Sequence, residues 1–98
     1  MRKFFVTVAL PETMEEDFWK LIPAHRSLIN ELMQEGTLSL YSVSATRTRG
    51  WMVIRGQSPE EVMELVRTFP IYKYYEGVEI DELFIYDNVA ELPEIVMN

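Results

Sequence analysis

The chain has 98 residues, 48% of them apolar and 12% aromatic, which suits one domain with a real core and argues against disorder. Nine Lys and Arg against 16 Asp and Glu give a net charge of −7, so attraction to nucleic acid or anionic lipid is disfavoured. There is no cysteine, which excludes disulfides, thiolate metal sites and a cysteine nucleophile, and no apolar run approaches the roughly 18–20 residues of a membrane span.

The stretch KFFVTVAL at 3–10 is β-branched and aromatic, stops at Pro11, and predicts a first strand. Thr13 and Glu16 have the spacing of a capping box, in which each side chain satisfies the other's free backbone donor. Phe18, Leu21, Ile22, Leu28, Ile29, Leu32 and Met33 then form a helical stripe, closed by Gly36 as a left-handed residue. Pro23 sits inside this stripe and is expected to kink the helix or split it, because it lacks the donor for the preceding turn.

Strands over 37–45 and 51–55 follow, joined by Thr46-Arg47-Thr48-Arg49-Gly50, with Gly50 where positive φ is convenient. Ser58-Pro59-Glu60-Glu61 supplies a cap, a proline at the first helical position and an acid reaching back. The second stripe is Val62, Leu65, Val66 and Phe69, ended by Pro70. An aromatic connection, Ile71-Tyr72-Lys73-Tyr74-Tyr75, leads to a last strand over 78–86 and a tail over 88–98.

The order β-α-β-β-α-β predicts an α+β, ferredoxin-like fold, with right-handed crossovers placing both helices on one face of a four-stranded antiparallel sheet. That leaves the opposite face uncovered. Tyr41, Val43 and Ala45 alternate with Leu38, Leu40 and Ser42, so both faces of the second strand carry apolar surface. An apolar face on so short a chain is expected to be buried against another copy, as a homodimer or higher homo-oligomer. The domain is expected to span 1–87. The tail over 88–98 keeps Val89, Leu92, Ile95, Val96 and Met97 and is expected to pack on a neighbouring protomer.

Charge is unevenly placed: 76–98 holds seven acids and no base, whereas 37–59 holds Arg47, Arg49 and Arg55 and no acid. The two regions either complement each other, within the fold or across an interface, or form separate solvated surfaces.

His25 is the only histidine and falls on the apolar stripe between Leu21/Ile22 and Leu28/Ile29. An imidazole held between helix and sheet can take and return a proton; the plainer alternative is a core histidine bonded to a backbone carbonyl. No metal is expected, since no second histidine or cysteine exists to join it. Arg26, Arg47 and Arg49 have the donors to hold a carboxylate. Trp51, Tyr41, Trp19 and the Tyr72/Tyr74/Tyr75 group can line an aromatic pocket or belong to core and interface. No phosphate-binding glycine loop, Ser-His-acid spacing or dinucleotide fingerprint occurs.

Leu32-Met33-Gln34-Glu35-Gly36-Thr37 at the helix-to-strand turn, Ser58-Pro59-Glu60-Glu61-Val62, and Phe69-Pro70-Ile71 leading to Tyr74, Val78, Glu79 and Ile80 resemble the muconolactone isomerase family of dimeric α+β barrels. The resemblance runs from about Lys3 to Tyr86. It implies two protomers packed sheet to sheet, and a cofactor-independent isomerase that moves a proton on an unsaturated lactone. Such isomerases tend to carry a Glu-Lys pair where this chain has His25-Arg26. The YCII-related proteins, a sister group, often pair a helix histidine with an aspartate near the central hairpin; His25 matches the first, and 37–59 contains no acid for the second.

The reading is therefore a cytoplasmic protein that binds a small, unsaturated anionic molecule between the first helix and the sheet. His25 would carry the proton, Arg26 or Arg47 would neutralise the carboxylate, and Tyr41 or Trp51 would stack on the conjugated system. No cofactor is expected. The other class is a non-catalytic small-molecule binder or structural barrel subunit.

Overall fold

Alternation sets the first strand. In β1 (Arg2–Ala9), Phe4, Val6 and Val8 are buried and the residues between them are only half covered, the period-two pattern of a strand with one core face. A computed structural model describes residues 2–89, so the expected tail lies, beyond Val89, outside the described residues. After β1 come α1 (Glu16–Glu35), β2 (Leu38–Val43), β3 (Arg49–Gly56), α2 (Pro59–Arg67), a single 3₁₀ turn (Tyr72–Tyr74) and β4 (Gly77–Glu82). The strands form one antiparallel sheet in the order β2-β3-β1-β4, the ferredoxin-like arrangement. None of the helices in the described residues is long and apolar enough to cross a membrane.

The core lies between the sheet and the two helices. Phe4, Val6, Met52, Ile54 and Leu38 from the strands meet Ile29 and Leu32 of α1 and Val62 and Val66 of α2. A second cluster, Leu10, Phe18 and Ile71, closes the end where β1 leaves the sheet.

Helix α1 begins later than the Thr13/Glu16 spacing suggests. Its N-cap is Glu15, in extended conformation with no side-chain cap bond, and Glu16 and Asp17 complement the helix dipole in the first turn. Met14, in the lead-in before the helix, packs against the second apolar cluster. Pro23 does not split the helix. It lies on the exposed side, so the carbonyl that loses its partner, that of the exposed Trp19, can bond water.

Gly36 ends α1 at φ +80°. Its N–H bonds the Met33 carbonyl at 3.1 Å, and the Thr37 N–H bonds the Leu32 carbonyl at 3.0 Å, a Schellman pair. At α2, Ser58 accepts the Glu61 N–H at 3.1 Å. Strand β4 stops at Glu82, short of the expected 86, because β1 offers little strand beyond Phe4, the partner of Glu82.

Two local features depart from the sequence reading and shape the site. A register shift between Leu38 and Leu40 lets Leu38 pair with Ile54 and Leu40 with Val53. Leu38 therefore joins Tyr41 and Val43 on the helix side, while Leu40 and Ser42 face away. Positive φ falls on Arg47 (φ 64°), not on Gly50. Gly50 lies within β3, where a Cβ would stand 3.0 Å from Val8 Cγ2. That glycine serves close strand packing.

Replacing Gly36 by Ala is expected to cost about 1 kcal/mol in urea unfolding, because its backbone is left-handed. Gly77→Ala, with ordinary φ and nothing within 4 Å of its Cβ, is expected to stay within about 0.5 kcal/mol of the parent.

Candidate active site

Between the first half of α1, the end of β2 and the β2–β3 hairpin lies a cavity of about 190 Å³. Its apolar wall comes from Leu10, Phe18, Ile22 and Ile71, with Met14, Trp19 and Val43 toward the opening. Its polar members are His25, Arg26, Tyr41 and Arg47. On α1, Phe18, Ile22 and His25 are three or four residues apart and so share the sheet-facing side, while Trp19 and Arg26 flank it. Tyr41 and Val43 reach the cavity because the irregularity at the start of β2 puts them on the helix side.

His25 is only 1% exposed. Its Nε2 lies 2.9 Å from the Tyr41 hydroxyl, and its ring packs edge-on to Phe69 at 5.6 Å. The buried Nδ1 has no hydrogen-bond partner. The backbone carbonyl expected for a plain core histidine is absent, and a side-chain hydroxyl takes its place. Burial, and then the neighbouring Arg26 charge, push the imidazole pKa down to about 4, so the ring is neutral near pH 7. Burial raises the Tyr41 phenol, with Arg26 opposing in part, so Tyr41 is a neutral donor and acceptor.

Arg26 stacks its guanidinium 5.4 Å from the centre of the Tyr41 ring. Arg47 is held at the hairpin tip by a bond from its N–H to the Ser44 carbonyl at 2.9 Å, while Ser44 and Arg49 close the turn at 2.8 Å. Its left-handed backbone costs a non-glycine residue about 1 kcal/mol or more. Among the described residues, no carboxylate lies within 4.0 Å of either guanidinium. The close surface pair runs instead between Arg2 and Glu82 at 2.7 Å. Arg47, Arg49 and Arg55 thus make no ion pair with the acids described from Glu76 onward, and among the described residues two cations stand without a carboxylate partner beside an apolar cavity.

His25, Arg26, Tyr41 and Arg47 are brought together; Trp51 is not. Trp51 pairs with Thr7 and Ser42 and points, by strand alternation, to the sheet face away from the helices. Trp19 lines the cavity, whereas Tyr72 and Tyr75 pack in the core. Sequence reasoning did not assign Met14 or Phe69 to the site, and it read Val43 as apolar surface of the uncovered sheet face, whereas Val43 lines the cavity on the helix side. Phe69 was legible only as a member of the α2 stripe. Met14 precedes the helix but keeps its spacing to Phe18, Ile22 and His25, which is the signal that could have found it. Among the described residues, no cluster of three or more His, Asp or Glu is placed to hold a metal.

The model of the family described as muconolactone delta-isomerase matches residues 3–88. No curated protein matches the chain. A solved structure, the 5-chloro-2-hydroxyhydroquinone dehydrochlorinase of Burkholderia phenoliruptrix AC1100 in complex with 2,5-dihydroxybenzoquinone, aligns with a TM-score of 0.54 at 10% identity. The alignment covers 80% of this chain and 90% of that one, and at such identity it is a likeness of fold.

Because His25 is neutral in the fold and carries a proton more readily when unfolded, its burial stabilises the protein fully above about pH 6.5. That contribution, about 2 kcal/mol after allowance for solvent screening beside the cavity, is lost as pH falls from 6.5 toward 4. Calorimetry is expected to show Tm falling over this window, with a clearly flatter profile in His25→Gln.

Proposed function

The chain belongs to the muconolactone delta-isomerase family, and from that premise we propose that it is a cofactor-independent isomerase. It moves a proton within a small, unsaturated, anionic organic molecule held in the cavity. One observation carries this reading: an apolar cavity whose polar members are an imidazole–phenol pair and two guanidiniums that have no carboxylate partner among the described residues. Arg26 and Arg47 hold the ligand's carboxylate. The His25–Tyr41 pair takes a proton from carbon next to a carbonyl and returns it at another carbon of the conjugated system. Negative charge that develops on the ligand lies beside the same two arginines, against apolar walls.

The dehydrochlorinase with the same fold holds a planar unsaturated ring, 2,5-dihydroxybenzoquinone, which supports a ligand of that shape here. One observation favours a second reading, a non-catalytic binder. An imidazole whose pKa is about 4 is a weak base, below the range best suited to proton abstraction near pH 7.

We further propose a homodimer closed through the sheet face opposite the helices. Phe5, Leu40 and Trp51 lie on that face, each only partly covered. Beside the sheet, Phe84 is 98% exposed, Ile85 70% and Val89 88%, an apolar run that a partner would bury. The expected packing of the 88–98 tail on that partner belongs to the same proposal.

The acid limb of kcat is expected near pH 4–5 rather than near 6.5, because the catalytic form is the neutral ring. It is expected to vanish in His25→Asn. A binder would show unchanged affinity and no such limb. Arg47→Ala is expected to raise KM for a carboxylate ligand about tenfold with little change in kcat. Light scattering is expected to report two chains per particle, shifting toward one in Phe5→Lys, which would bury an unpaired charge.

A further inference from the structure

Within that reading, we infer that His25 exchanges its proton with the ligand only through the Tyr41 hydroxyl, so that Tyr41 is the catalytic residue and His25 the positioning residue behind it. His25 is 1% exposed, and its Nδ1 is shut away from solvent and partners alike. Its other nitrogen, Nε2, is capped by the Tyr41 oxygen at 2.9 Å. Phe69 covers the ring from a further side. Tyr41 itself is only partly buried and lines the cavity between His25 and Arg26. His25 borders the cavity too, but its Nδ1 is buried and its Nε2 is taken by the Tyr41 oxygen, so the phenol is the group through which a proton can pass.

The step balances without any added reagent. In the tautomer with hydrogen on Nδ1, the Tyr41 hydroxyl donates to Nε2. As the ligand's C–H bond breaks, its proton passes to the Tyr41 oxygen while the hydroxyl's own proton passes to Nε2. The electron pair stays on the ligand as an enolate, facing Arg26. In the return step the Tyr41 proton forms the new C–H bond at the other end of the conjugated system, and Nε2 gives its proton back to the phenol. His25 and Tyr41 end as they began, and the ligand is isomerised.

Two measurements on the full chain test this. Diethyl pyrocarbonate acylates accessible neutral imidazole, and the single histidine makes mass spectrometry of the product unambiguous. Acylation of His25 is expected to be at least about 30-fold slower than that of N-acetylhistidine, and to recover at least about tenfold in Tyr41→Ala that still unfolds cooperatively. Acylation of the parent at the free rate would overturn the inference, as would a Tyr41→Ala variant with no gain.

The second measurement follows deuterium entering a carboxymethyl butenolide in D2O by NMR. Tyr41→Phe is expected to lower kcat at least about 100-fold with KM within about threefold, and His25→Gln, whose amide can hold the phenol but cannot accept its proton, is expected to lose kcat by a comparable factor with KM likewise little changed. Full activity in Tyr41→Phe would overturn the inference. If the parent exchanges no deuterium, the isomerase reading fails for this lactone, while the acylation rates still decide whether Tyr41 stands between His25 and the cavity.

Discussion

A histidine can be taken out of water at modest cost only if it is uncharged and keeps a hydrogen bond. In this protein that condition is met by one contact, His25 Nε2 to the Tyr41 hydroxyl. Without it both ring nitrogens would be buried unpaired, since Nδ1 already is. The contact also joins α1 to β2 beside the cavity, so the same bond that makes the buried ring tolerable fixes a polar side of the site. Arg26 then adds its charge beside the pair, which further disfavours imidazolium and leaves the phenol as the group that meets the cavity.

The fold supplies what the contact needs. Phe4, Val6 and Val8 anchor α1 over the sheet, and Ile29 and Leu32 hold its second half in the core. The first half is consequently free to lean over an apolar cavity while staying one continuous helix. At the opposite wall, the shift after Leu38 turns Tyr41 and Val43 toward α1, and the hairpin bonds between Ser44, Arg47 and Arg49 hold Arg47 at the opening. A cavity lined this way suits a ligand with a flat apolar body and a negative end. Two arginines can hold the charge, and one neutral hydroxyl can address the carbon chemistry.

The architecture was legible because its punctuation is chemical. Gly36 must accept a left-handed backbone, and Ser58 before Pro59 can do little but cap a helix. These positions, with strand-like composition between them, give the order of elements directly. The cluster of His25, Arg26, Tyr41 and Arg47 was legible in part from residue type. Trp51 was not separable from them, because the choice of face turns on register. Once Tyr41 pairs with Met52, Trp51 must pair with Ser42 and face away, and a bulge at the start of β2 leaves no local mark of that pairing. Helix α1 starts at Glu16 behind an N-cap, Glu15, that makes no side-chain bond, so the Thr13/Glu16 spacing was a capping signal the fold does not use. Pro23 went unbroken for a solvent reason that only burial reveals.

The central claim, a neutral imidazole held by Tyr41 beside the cavity, is tested most directly by NMR titration of the chain labelled at its single histidine. The account expects His25 to stay neutral down to about pH 4, with Nδ1 protonated and Nε2 shifted by its hydrogen bond, and Nε2 to move in Tyr41→Phe. An imidazole that titrates near 6.5 and ignores the Tyr41 substitution would contradict it.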